Sequence, residues 1–507
     1  MKKEIAILGG SFDPITNAHL EIARKVRDTF DVDVLFLIAK SPRWKENVTD
    51  ANDRLNMLKL ALKGEERFYI DETELNSNNT INYTIDTVLE LLEKYKGYVI
   101  YYIIGTDQLE KLHEWKNIEE LSNLVQFVVI EREGHPINKE NFELFDCIKL
   151  DIKTSNTSST LIRNYESTDT KKEVLDYIYE NGIYASNMLK KLVDDKRYNH
   201  SLNVANLAYK LAESNKFDPK LAYYAGLIHD CAKRIPYDKM VELMLKYEKE
   251  NLDDQKNLYH QYLAPIIAKQ YFNVNNKDIM HAIKYHTTGD YKMNTLDKIV
   301  YCADKLEEGR EFDSSKIINM CMKDIDYGYA YEVVFNVDYI INVKKVKINI
   351  KTQKIYDECV KFIHDYKLNK IFERLSEKMA YNIKLYDCNS MNTIYQYCFV
   401  ADALNNRQLK AIADEIEDLA IEFGWTTGLT SDVGDEFEFP TEPLKNLHEL
   451  RDHIQDFLNN PIRIVSKQVM RAVDFCVPPN GKVFELSSRE ARRSALRRYS
   501  PYGRTDV

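Results

Sequence analysis

Residues 5–19 have the sequence IAILGGSFDPITNAH, which is the most informative stretch for the architecture of the N-terminal third of the chain. Four apolar residues, typical of a short buried strand, run into two glycines. Glycines directly after a strand let the backbone approach a phosphate closely, and a following helix N-terminus supplies N–H groups and a positive dipole. Thr16 and His19 can share one face of the first helical turn. The stretch therefore predicts a phosphate site where a hydroxyl and an imidazole stabilise charge on a transferred group.

The sequence around this stretch alternates short apolar runs with amphipathic segments. Apolar runs that suit buried strands continue at residues 34–37, 99–104 and 127–130, and helical patterns occupy residues 20–30 and 84–94. Alternating strands and helices imply a parallel sheet with helices on both faces and ligands at the carboxyl ends of the strands. Residues 1–185 are therefore predicted to form one α/β domain.

The rest of the chain changes character twice. From residue 186 to 370 helical periodicity dominates, which predicts an all-α domain. Residues 371–424 return to a mixed pattern, with a strand around 397–402 and a helix over 407–422, and they predict a small α/β segment. Residues 425–507 are punctuated by Gly and Pro, carry an Arg-rich end and remain an unassigned tail. The chain is thus predicted to be multidomain.

The length, the charge and the cysteine content limit the classes of protein to which this chain can belong. At 507 residues the chain is too long for one core, and its formal charge of −10 argues against general affinity for nucleic acid. The eight cysteines are scattered and form no CxxC pair, which favours reduced thiols in a cytoplasmic protein. No apolar stretch approaches the roughly 20 residues of a membrane helix, and the N-terminus lacks the pattern of a signal peptide.

His200, His229, His260 and His286 all fall within the predicted helical domain, and Asp230 directly follows His229. Burying this His-Asp pair in an otherwise apolar segment is costly unless a metal or partner satisfies it. Any one of these histidines alone is more often a satisfied core residue. Neutral imidazoles with carboxylates suit Fe, Mn, Zn or Ni, and a bridging carboxylate suits two metals that share a hydroxide nucleophile. The ordered set therefore predicts a metal site.

Residues 9–19, GGSFDPITNAH, resemble the (H/T)xGH signature of the adenylyltransferase superfamily, with Ala18 replacing the usual Gly. Residues 158–163, SSTLIR, are similar to the superfamily's ISSTxIR string. YTIDT at residues 83–87 and IGTD at residues 104–107 favour nicotinate mononucleotide adenylyltransferase, as do three single residues, Trp115, Arg132 and Gly134. The resemblance implies an α/β Rossmann-like nucleotidyltransferase domain.

This resemblance also implies a reaction and a set of site residues. The reaction joins ATP and nicotinate mononucleotide into deamido-NAD and pyrophosphate, with Mg²⁺ on the phosphates. His19 and Thr16 are then catalytic, and residues 158–163 hold the β- and γ-phosphates. The implied nucleotide-binding residues are Gly9, Gly10, Ser11, Phe12, Lys45, Tyr83, Thr84, Gly105, Asp107, Trp115, Arg132, Ser158, Ser159, Thr160 and Arg163.

Thr16 departs from the nicotinate family, which normally has His at this position. Thr occurs there in phosphopantetheine adenylyltransferase, whose ITNGH string is almost this one. A hydroxyl can donate to a phosphate but cannot act as an imidazolium. A phosphopantetheine acceptor, a slower first site and an inactive remnant therefore stay open as alternatives.

The ordered set of histidines and aspartates resembles the HD superfamily, specifically its small bacterial members that split diadenosine tetraphosphate symmetrically into two ADP. The likeness includes RYNHS at 197–201, GLIHDCAK at 226–233, YHTTG at 285–289 and ADKLE at 303–307. It implies two metals, iron by analogy, with Asp230 both a ligand and catalytic. Lys233 and Arg310 are the implied phosphate contacts. The implied metal ligands are His200, His229, Asp230, His260, His286 and Asp304.

Residues 377–423 resemble the first half of the ribosomal silencing factor family, which binds the large ribosomal subunit. An amphipathic helix with a charged outer face fits residues 407–417 almost as well. The resemblance implies a weak ribosome link through residues 371–424. The expected partners are ATP, nicotinate mononucleotide and diadenosine tetraphosphate, without a membrane and with the oligomeric state left open. A ribosome-associated regulator whose two enzyme-like domains only sense nucleotides is the alternative for the whole chain.

Overall fold

The structure is a computed structural model that describes residues 3–40, 48–77, 82–132, 134–152, 158–309, 312–387, 397–404 and 406–423, together with residues 470–471 and 484–485. Two predicted phosphate contacts, Lys45 and Arg310, lie outside the described residues. The chain divides into two compact units, Met1–Ile325 and Asp326–Val507, and each is described by itself.

The first unit begins with a six-stranded parallel sheet in the order β3-β2-β1-β4-β5-β6. This order, with β1 between β2 and β4, confirms the predicted Rossmann-like arrangement. The strands are β1 (Lys3–Gly10), β2 (Asp33–Ile38), β3 (Phe68–Asp71), β4 (Tyr98–Gly105), β5 (Gln126–Ile130) and β6 (Ile148–Leu150).

Helices cover both faces of this sheet. Alternate residues of β1 enter opposite apolar layers, as the two-residue period of a strand requires. Ala6 and Leu8 pack in the layer that includes α1, α2 and α9, whereas Ile5 and Ile7 pack in the layer that includes α4 and α6. The helices are α1 (Asn17–Phe30), α2 (Ala51–Leu62), α3 (Thr73–Asn76), α4 (Thr84–Lys94), α5 (Thr106–Leu109), α6 (Ile118–Leu124), α7 (Lys139–Leu144), α8 (Ser159–Arg163) and α9 (Lys172–Glu180).

The second half of this unit is a helical bundle, as predicted. Asp218 caps α12, and Pro219 follows at the first helical position, where its missing N–H costs nothing. A Cβ at Gly226 would lie 3.1 Å from the Cα of Ala205, so α11 and α12 approach closely. The helices are α10 (Ala185–Leu192), α11 (Asp195–Ser214), α12 (Pro219–Ile228), α13 (Tyr237–Tyr247), α14 (Tyr259–Phe272), α15 (Lys277–Tyr285), α16 (Thr295–Leu306) and α17 (Ser315–Lys323).

The second unit combines long helices with a small antiparallel sheet in the order β10-β7-β8-β9. Its core joins side chains of α19, β7 and α20, among them Ile371, Ile383 and Ile412. Two short strands from the predicted unassigned tail join this sheet. The elements are α18 (Ile325–Asn342), α19 (Ile350–Glu377), β7 (Tyr381–Asp387), β8 (Tyr397–Ala403), α20 (Asn406–Glu422), β9 (Met470–Arg471) and β10 (Phe484–Glu485).

The predicted domain boundary at residue 370 falls inside α19, and the domain boundaries stay predictions. Among the described helices, none combines the length and apolar character required to cross a membrane.

Candidate active sites

The first candidate site lies where β1 and β4 end side by side. Gly9 and Gly10 close β1, and Gly105 closes β4, which runs parallel to β1 with Leu8 opposite Ile103. The chain leaves β1 for β2 on one side, while β4 lies on the other, so this edge is the switch point of the sheet. Ligands of such sheets bind at the switch point. The structure therefore brings the predicted glycine turn and the predicted GTD turn to one edge.

Thr16 and His19 contact each other at the start of α1. The backbone N–H of Thr16 donates to His19 Nδ1 at 3.1 Å, and the Thr16 hydroxyl oxygen lies 2.7 Å from the same nitrogen. A backbone N–H can only donate, so Nδ1 accepts and the proton of the neutral ring is on Nε2. The buried Thr16 therefore helps to orient His19 as an Nε2–H donor.

The second half of the predicted signature folds back onto the β1–α1 loop. The Ser159 hydroxyl donates to the Pro14 carbonyl at 2.8 Å, and Arg163 Nη1 donates to the Asp13 carbonyl at 2.6 Å. These contacts join segments that are about 150 residues apart and place the Arg163 guanidinium at the loop.

The remaining members of residues 158–163 shape this short helix. Ser158 caps α8 by accepting the N–H of Leu161 at 3.3 Å, and Thr160 Oγ1 accepts from Arg163 Nη2 at 2.8 Å. Arg163 therefore has one guanidinium nitrogen on its own helix and another on the β1–α1 loop. This double contact fixes the direction of its charge.

Asp107 and Arg132 form an ion pair directly above Gly105, with Oδ1 and Nε 3.3 Å apart. A Cβ built on Gly105 would lie 2.2 Å from Asp107 Oδ1 and 2.7 Å from Arg132 Nε. The Thr106 hydroxyl accepts the backbone N–H of Arg132 at 2.9 Å and ties the two loops together. Only glycine leaves room for this pair, which explains the Gly in the GTD string.

Tyr102 of β4 links three of the predicted nucleotide-binding residues. A Cβ on Gly9 would lie 3.0 Å from the Tyr102 hydroxyl, and Thr84 hydrogen-bonds to that hydroxyl. The indole of Trp115 packs edge-on to the Tyr102 ring, with centroids 6.3 Å apart. The sequence predicted Tyr102 only as a strand residue, and its contacts with these three nucleotide-binding residues were not predicted.

Tyr83, another predicted nucleotide-binding residue, directly precedes α4, and Lys116 Nζ lies 4.3 Å from the centroid of its ring.

Arg54 is a charged side chain of this region with only 1% exposure, and its role was not predicted from the sequence. It donates to four carbonyl oxygens, those of Ser11 (2.8 Å), Ala39 (2.8 Å), Lys40 (3.0 Å) and Thr49 (2.9 Å). Arg54 thereby ties the loop after β1 to the segment after β2. A basic residue on the buried face of α2 was the sequence feature that could have indicated this role of Arg54.

The positions of the other two loop residues complete this site. Ser11 is buried, and Phe12 has a positive φ of 46°, in the left-handed region that side chains rarely adopt. The Phe12 ring packs edge-on to His19 at 5.5 Å and against Phe36 at 5.6 Å. Phe12 therefore anchors the loop in the core while it supports the His19 ring.

The second candidate site is a cluster of four histidines and two aspartates inside the helical bundle. The cluster draws on α11, α14 and α16 and on the residues that directly follow α12 and α15. Five of the six side chains are buried, and the sixth, that of His200, is 12% exposed. The members are His200, His229, Asp230, His260, His286 and Asp304.

The cluster has two sides that meet at Asp230. On one side, Asp304 Oδ1 lies 3.3 Å from His200 Nε2 and 3.6 Å from His229 Nε2. Asp230 Oδ2 lies 3.8 Å and 3.6 Å from the same two nitrogens. The ligand atoms of His200, His229 and Asp304 all fall within 4.8 Å of one another, as a shared metal ion requires.

On the other side, Asp230 Oδ1 lies 3.4 Å from His260 Nε2 and 3.4 Å from His286 Nε2. His229, Asp230 and His286 form a second group whose ligand atoms lie within 4.8 Å of one another. The two oxygens of Asp230 thus face different histidines. A carboxylate in this position can bridge two metal ions.

The histidine tautomers also suit a metal. The Nδ1 atoms of His229, His260 and His286 each lie 2.7–2.8 Å from the carbonyl oxygen three residues earlier. A carbonyl only accepts, so Nδ1 carries the proton and Nε2 keeps its lone pair. In the described structure, Nε2 of His200 and of His229 and Oδ1 of Asp230 are buried without hydrogen-bond partners. Bound cations would satisfy these buried acceptor atoms.

The pKa shifts of His260 and Asp230 also favour the forms that bind metal. Burial and nearby His286 lower the pKa of His260 to about 3, so this ring is neutral at neutral pH. Burial acts to raise the pKa of Asp230, but His229 and His286 outweigh it and hold that pKa well below its usual range. Burial also lowers the pKa of His286, whereas burial of His229 is outweighed by the carboxylates of Asp230 and Asp304, which raise its pKa. His260 and His286 are therefore neutral beside ionised carboxylates, the forms that bind metal.

Glu307 and Arg197 belong to the HD-like strings at 303–307 and 197–201, but neither was predicted as a site residue. Glu307 Oε1 lies 3.3 Å from His200 Nδ1, and Glu307 Oε2 accepts from Asn203 at 3.1 Å. Arg197 Nη1 lies 2.6 Å from Asp230 Oδ2. Glu307 therefore contacts the ring nitrogen of His200 that faces away from the cluster and orients this predicted ligand, as carboxylates do in metal sites.

Cations line the approach to the cluster. The predicted phosphate contact Lys233 places Nζ 3.0 Å from His260 Nε2, and Lys305 pairs with Asp304 at 2.9 Å. With Arg197, these side chains put three positive groups beside the predicted metal ligands. Such an arrangement suits a polyanionic ligand.

Taken together, the fold and the two sites define an enzyme in which a nucleotidyltransferase is joined to an HD-type hydrolase. Residues 7–165 match the cytidylyltransferase-like family, and residues 197–309 match the HD domain family. Residues 363–431 match a family described as "Ribosomal silencing factor during starvation". An HD domain implies binding of divalent metal, and the His/Asp cluster supplies donors for it.

Relatives of known description span both domains. A Mycoplasma genitalium protein is 37% identical over 316 residues, which are 61% of this chain and 89% of the relative. A Mycoplasma pneumoniae protein is 32% identical over 337 residues, 64% of this chain and 96% of the relative. Both are called "Probable nicotinate-nucleotide adenylyltransferase/Ap4A hydrolase". The chain belongs to this family of fused adenylyltransferase/hydrolase enzymes.

A shorter relative matches the first domain alone. A Bacillus mycoides protein called "Probable nicotinate-nucleotide adenylyltransferase" is 38% identical over 193 residues, 36% of this chain and all of the relative. The predictions of an enzyme and of both enzyme classes are thereby confirmed. The predicted likeness to a ribosomal silencing factor is confirmed as a family match.

Proposed function

We propose that the first site joins ATP and nicotinate mononucleotide to give deamido-NAD and pyrophosphate. The meeting of the glycine turn, His19 and the Asp107–Arg132 pair at one sheet edge carries this proposal. The names of the relatives support the choice of acceptor. A phosphate oxygen of the mononucleotide attacks the α-phosphorus of ATP, and the bond to the β-phosphate breaks as pyrophosphate leaves.

The protein's part in this step is positioning and charge stabilisation. His19 donates from Nε2 to the phosphate on which charge develops, and Thr16 holds the ring from its Nδ1 side. Arg163 and the hydroxyls of residues 158–160 bind the β- and γ-phosphates, with Lys45 as a further contact. Mg²⁺ enters with the ATP phosphates.

The remaining proposed contacts surround the two nucleosides. The triphosphate of ATP contacts the end of β1 and the loop that follows it, at Gly9, Gly10, Ser11 and Phe12. The acceptor nucleotide and the adenosine contact residues from the other loops, which are Tyr83, Thr84, Gly105, Asp107, Trp115 and Arg132.

We also propose that the second site hydrolyses diadenosine tetraphosphate symmetrically, so that one water is added and two ADP leave. The position of Asp230, with one oxygen toward each side of the cluster, carries this proposal. The named Ap4A hydrolase activity of the relatives supports the substrate. Two divalent metals, iron by analogy, would when bound activate the attacking water at neutral pH.

This chain's own residues hold the metals and the substrate. His200, His229 and Asp304 would hold one divalent ion, His260 and His286 would hold a second, and Asp230 would contribute an oxygen to each side. Arg197, Lys233 and Arg310 neutralise the polyphosphate. Because Arg197 and Lys233 contact the cluster, they would keep the central phosphates near the metals.

Two assays on the purified full-length protein test both proposals. Metal analysis should find about two ions per chain, and diadenosine tetraphosphate should yield ADP as its nucleotide product. AMP and ATP as products would contradict symmetrical cleavage. Pyrophosphate release should be faster with nicotinate mononucleotide than with phosphopantetheine, and a higher kcat/KM with phosphopantetheine would overturn the first proposal. Failure of both turnovers would favour a nucleotide sensor.

Residues 371–424 are proposed to give the enzyme a weak link to the ribosome. The match of residues 363–431 to the silencing-factor family supports this link. Arg407 and Lys410 lie exposed on α20 and can contact RNA. The full-length protein should pellet with large ribosomal subunits at low salt, and the R407E/K410E variant should pellet less. Equal pelleting of both would contradict this contact.

A further inference from the structure

A cleft of about 800 Å³ lies within the first compact unit, between the predicted nucleotidyltransferase domain and helices α11 and α12. Thr49, Asp53 and residues 181–184 form one wall, and side chains of α11 and α12 form the other. Among the described residues, the cleft shares none with the predicted members of either site. Pockets of about 300–1,000 Å³ at domain interfaces commonly bind small molecules. The cleft therefore has the size and location of a third ligand site.

The first wall of the cleft touches the loop of the first site. Tyr184 Oη donates to Asp13 Oδ1 at 2.6 Å, and the backbone N–H of Thr49 lies 3.3 Å from Asp13 Oδ2. Asp13 is 3% exposed and also accepts from Arg163 through its carbonyl. A ligand that shifts Tyr184 or Thr49 must therefore shift the loop that leads to His19.

The opposite wall touches the second site. Asn203 lines the cleft and donates from Nδ2 to Glu307 Oε2 at 3.1 Å. Glu307 Oε1 lies 3.3 Å from Nδ1 of the predicted metal ligand His200. A ligand that competes for the Asn203 amide therefore changes the support behind His200. The residues that line this cleft therefore contact Asp13 beside the first site and Glu307 beside the second.

The lining chemistry suits a nucleobase with a single phosphate. Tyr209 and Tyr223 provide aromatic faces, on which bases stack. The amide of Asn206 offers the paired donor and acceptor that match the edge of adenine. Asn181 and Asn203 also line the cleft, and their Nδ2 atoms donate to the Tyr177 carbonyl and to Glu307 as well.

Charge in the cleft limits the phosphate content of the ligand. Lys220 is paired with Asp53 at 3.2 Å, and the other two charged residues, Lys210 and Glu308, have opposite signs. The lining charges therefore cancel, unlike the three cations beside the metal cluster. Lys210 suffices for one phosphate, whereas a polyphosphate would meet Asp53 and Glu308.

We propose that this cleft binds an adenine mononucleotide and that its occupancy changes the rates of both reactions. The ligand enters between Tyr184 and Asn203 and acts on the Asp13 loop and on Glu307. Binding and catalysis are then linked, because a ligand that prefers one arrangement of these contacts shifts their equilibrium. The rate effects rest on the proposed function, whereas binding in the cleft does not.

Calorimetric titration of the full-length protein with AMP tests the binding. Asn206→Trp fills the cleft from an exposed position on α11, and Gln270→Trp makes the same kind of change at an exposed position of α14 outside it. We expect Asn206→Trp to weaken AMP binding by at least about tenfold and Gln270→Trp to leave it unchanged. Equal affinity in the two variants would place AMP in a catalytic site and overturn the proposal, as would no binding by the unmodified protein at about 1 mM.

A second variant keeps the cleft open and addresses the phosphate. Lys210→Glu should weaken AMP by at least about tenfold yet leave adenosine binding unchanged, because only AMP carries the charge. Equal losses for both ligands would contradict the assigned phosphate contact. AMP should also change both turnover rates at least about twofold in Gln270→Trp but not in Asn206→Trp. Binding confined to the cleft without any rate change would overturn the regulatory half of the proposal and leave the proposed function standing.

Discussion

The phenol of Tyr184 donates a 2.6 Å hydrogen bond to Oδ1 of Asp13, across 171 positions of the chain. Both side chains are buried, and burial together with nearby Asp13 raises the pKa of Tyr184, so the phenol keeps its proton. Asp13 lies in the β1–α1 loop, whereas Tyr184 directly precedes α10. The loop of the first site is therefore anchored from the border between the two predicted domains.

Tyr184→Phe should slow adenylyl transfer without unfolding the protein. The ring keeps its packing, but Asp13 loses a hydrogen bond to a charged group, which is typically worth about 1.5–3 kcal/mol. Part of that loss should appear as disorder of the loop, so we expect kcat to fall about tenfold while the KM for ATP changes little. Hydrolysis at the second site serves as the internal control.

Tyr165→Phe is the matched control for this variant. The Tyr165 hydroxyl is also buried, but it has no hydrogen-bond partner among the described residues. Its removal should leave both activities and the melting temperature nearly unchanged. If the two Tyr→Phe variants behave alike, the hydrogen bond to Asp13 has no positioning role.

Asp230→Ala should lose metal and hydrolytic activity together, because it removes the only side chain whose two oxygens face both sides of the described cluster. The loss should exceed the roughly 10- to 100-fold that follows loss of an outer partner of a ligand. Metal analysis and ADP release measure the two effects. Asp297→Asn alters another buried aspartate of the bundle and should retain metal. Turnover by metal-free Asp230→Ala would contradict the metal mechanism.

Glu307→Gln should weaken the metal site without removing a predicted ligand. The amide keeps an oxygen near His200 Nδ1 but loses the negative charge that makes the imidazole a stronger donor. We expect metal affinity to fall about 10- to 100-fold, measured by competition with a chelator. Glu242→Gln, at an exposed position of α13, should have no effect. Restoration of full hydrolysis by excess metal would separate this role from a direct one in the reaction.

The sequence predicted those features whose cause is local. Residues 5–8 alternate between the two apolar layers, as the two-residue period of a strand requires. The glycine turn ends this strand at the switch point of the sheet, where parallel sheets bind their ligands. His281 lies five residues before His286, off its helical face, and this spacing predicts a structural role. Its contact with Asp297 Oδ2 at 2.8 Å fits that interpretation.

The missed residues act over long sequence separations. Arg54 reaches the carbonyl of Ser11 across 43 positions, and Glu307 reaches His200 across 107. Periodicity and motif spacing record only near neighbours, so neither contact has a sequence signal of its own. The roles of Lys45 and Arg310 stay predictions, because both lie outside the described residues.

His19→Ala should affect the chemical step more than ATP binding. A donor aimed at charge that develops in the transition state lowers the barrier without equally tightening the ground state. Loss of one such donor typically costs on the order of 100- to 1,000-fold in kcat. We expect that loss in kcat and only a modest change in the dissociation constant of ATP. A large change in ATP affinity with kcat preserved would mean that His19 only binds substrate.

Thr16→Val tests whether the hydroxyl acts through His19. The variant keeps the shape of the side chain and the backbone N–H that donates to His19 Nδ1, but it removes the oxygen 2.7 Å from that nitrogen. One neutral hydrogen bond is worth about 1 kcal/mol, so a role confined to orienting the ring predicts a loss in kcat of about fivefold. Thr16→Ser restores the hydroxyl and should recover most of the rate. If Thr16→Val instead matches the loss in His19→Ala, the hydroxyl itself contacts the reacting phosphate, and the likeness of this loop to the phosphopantetheine enzyme gains weight.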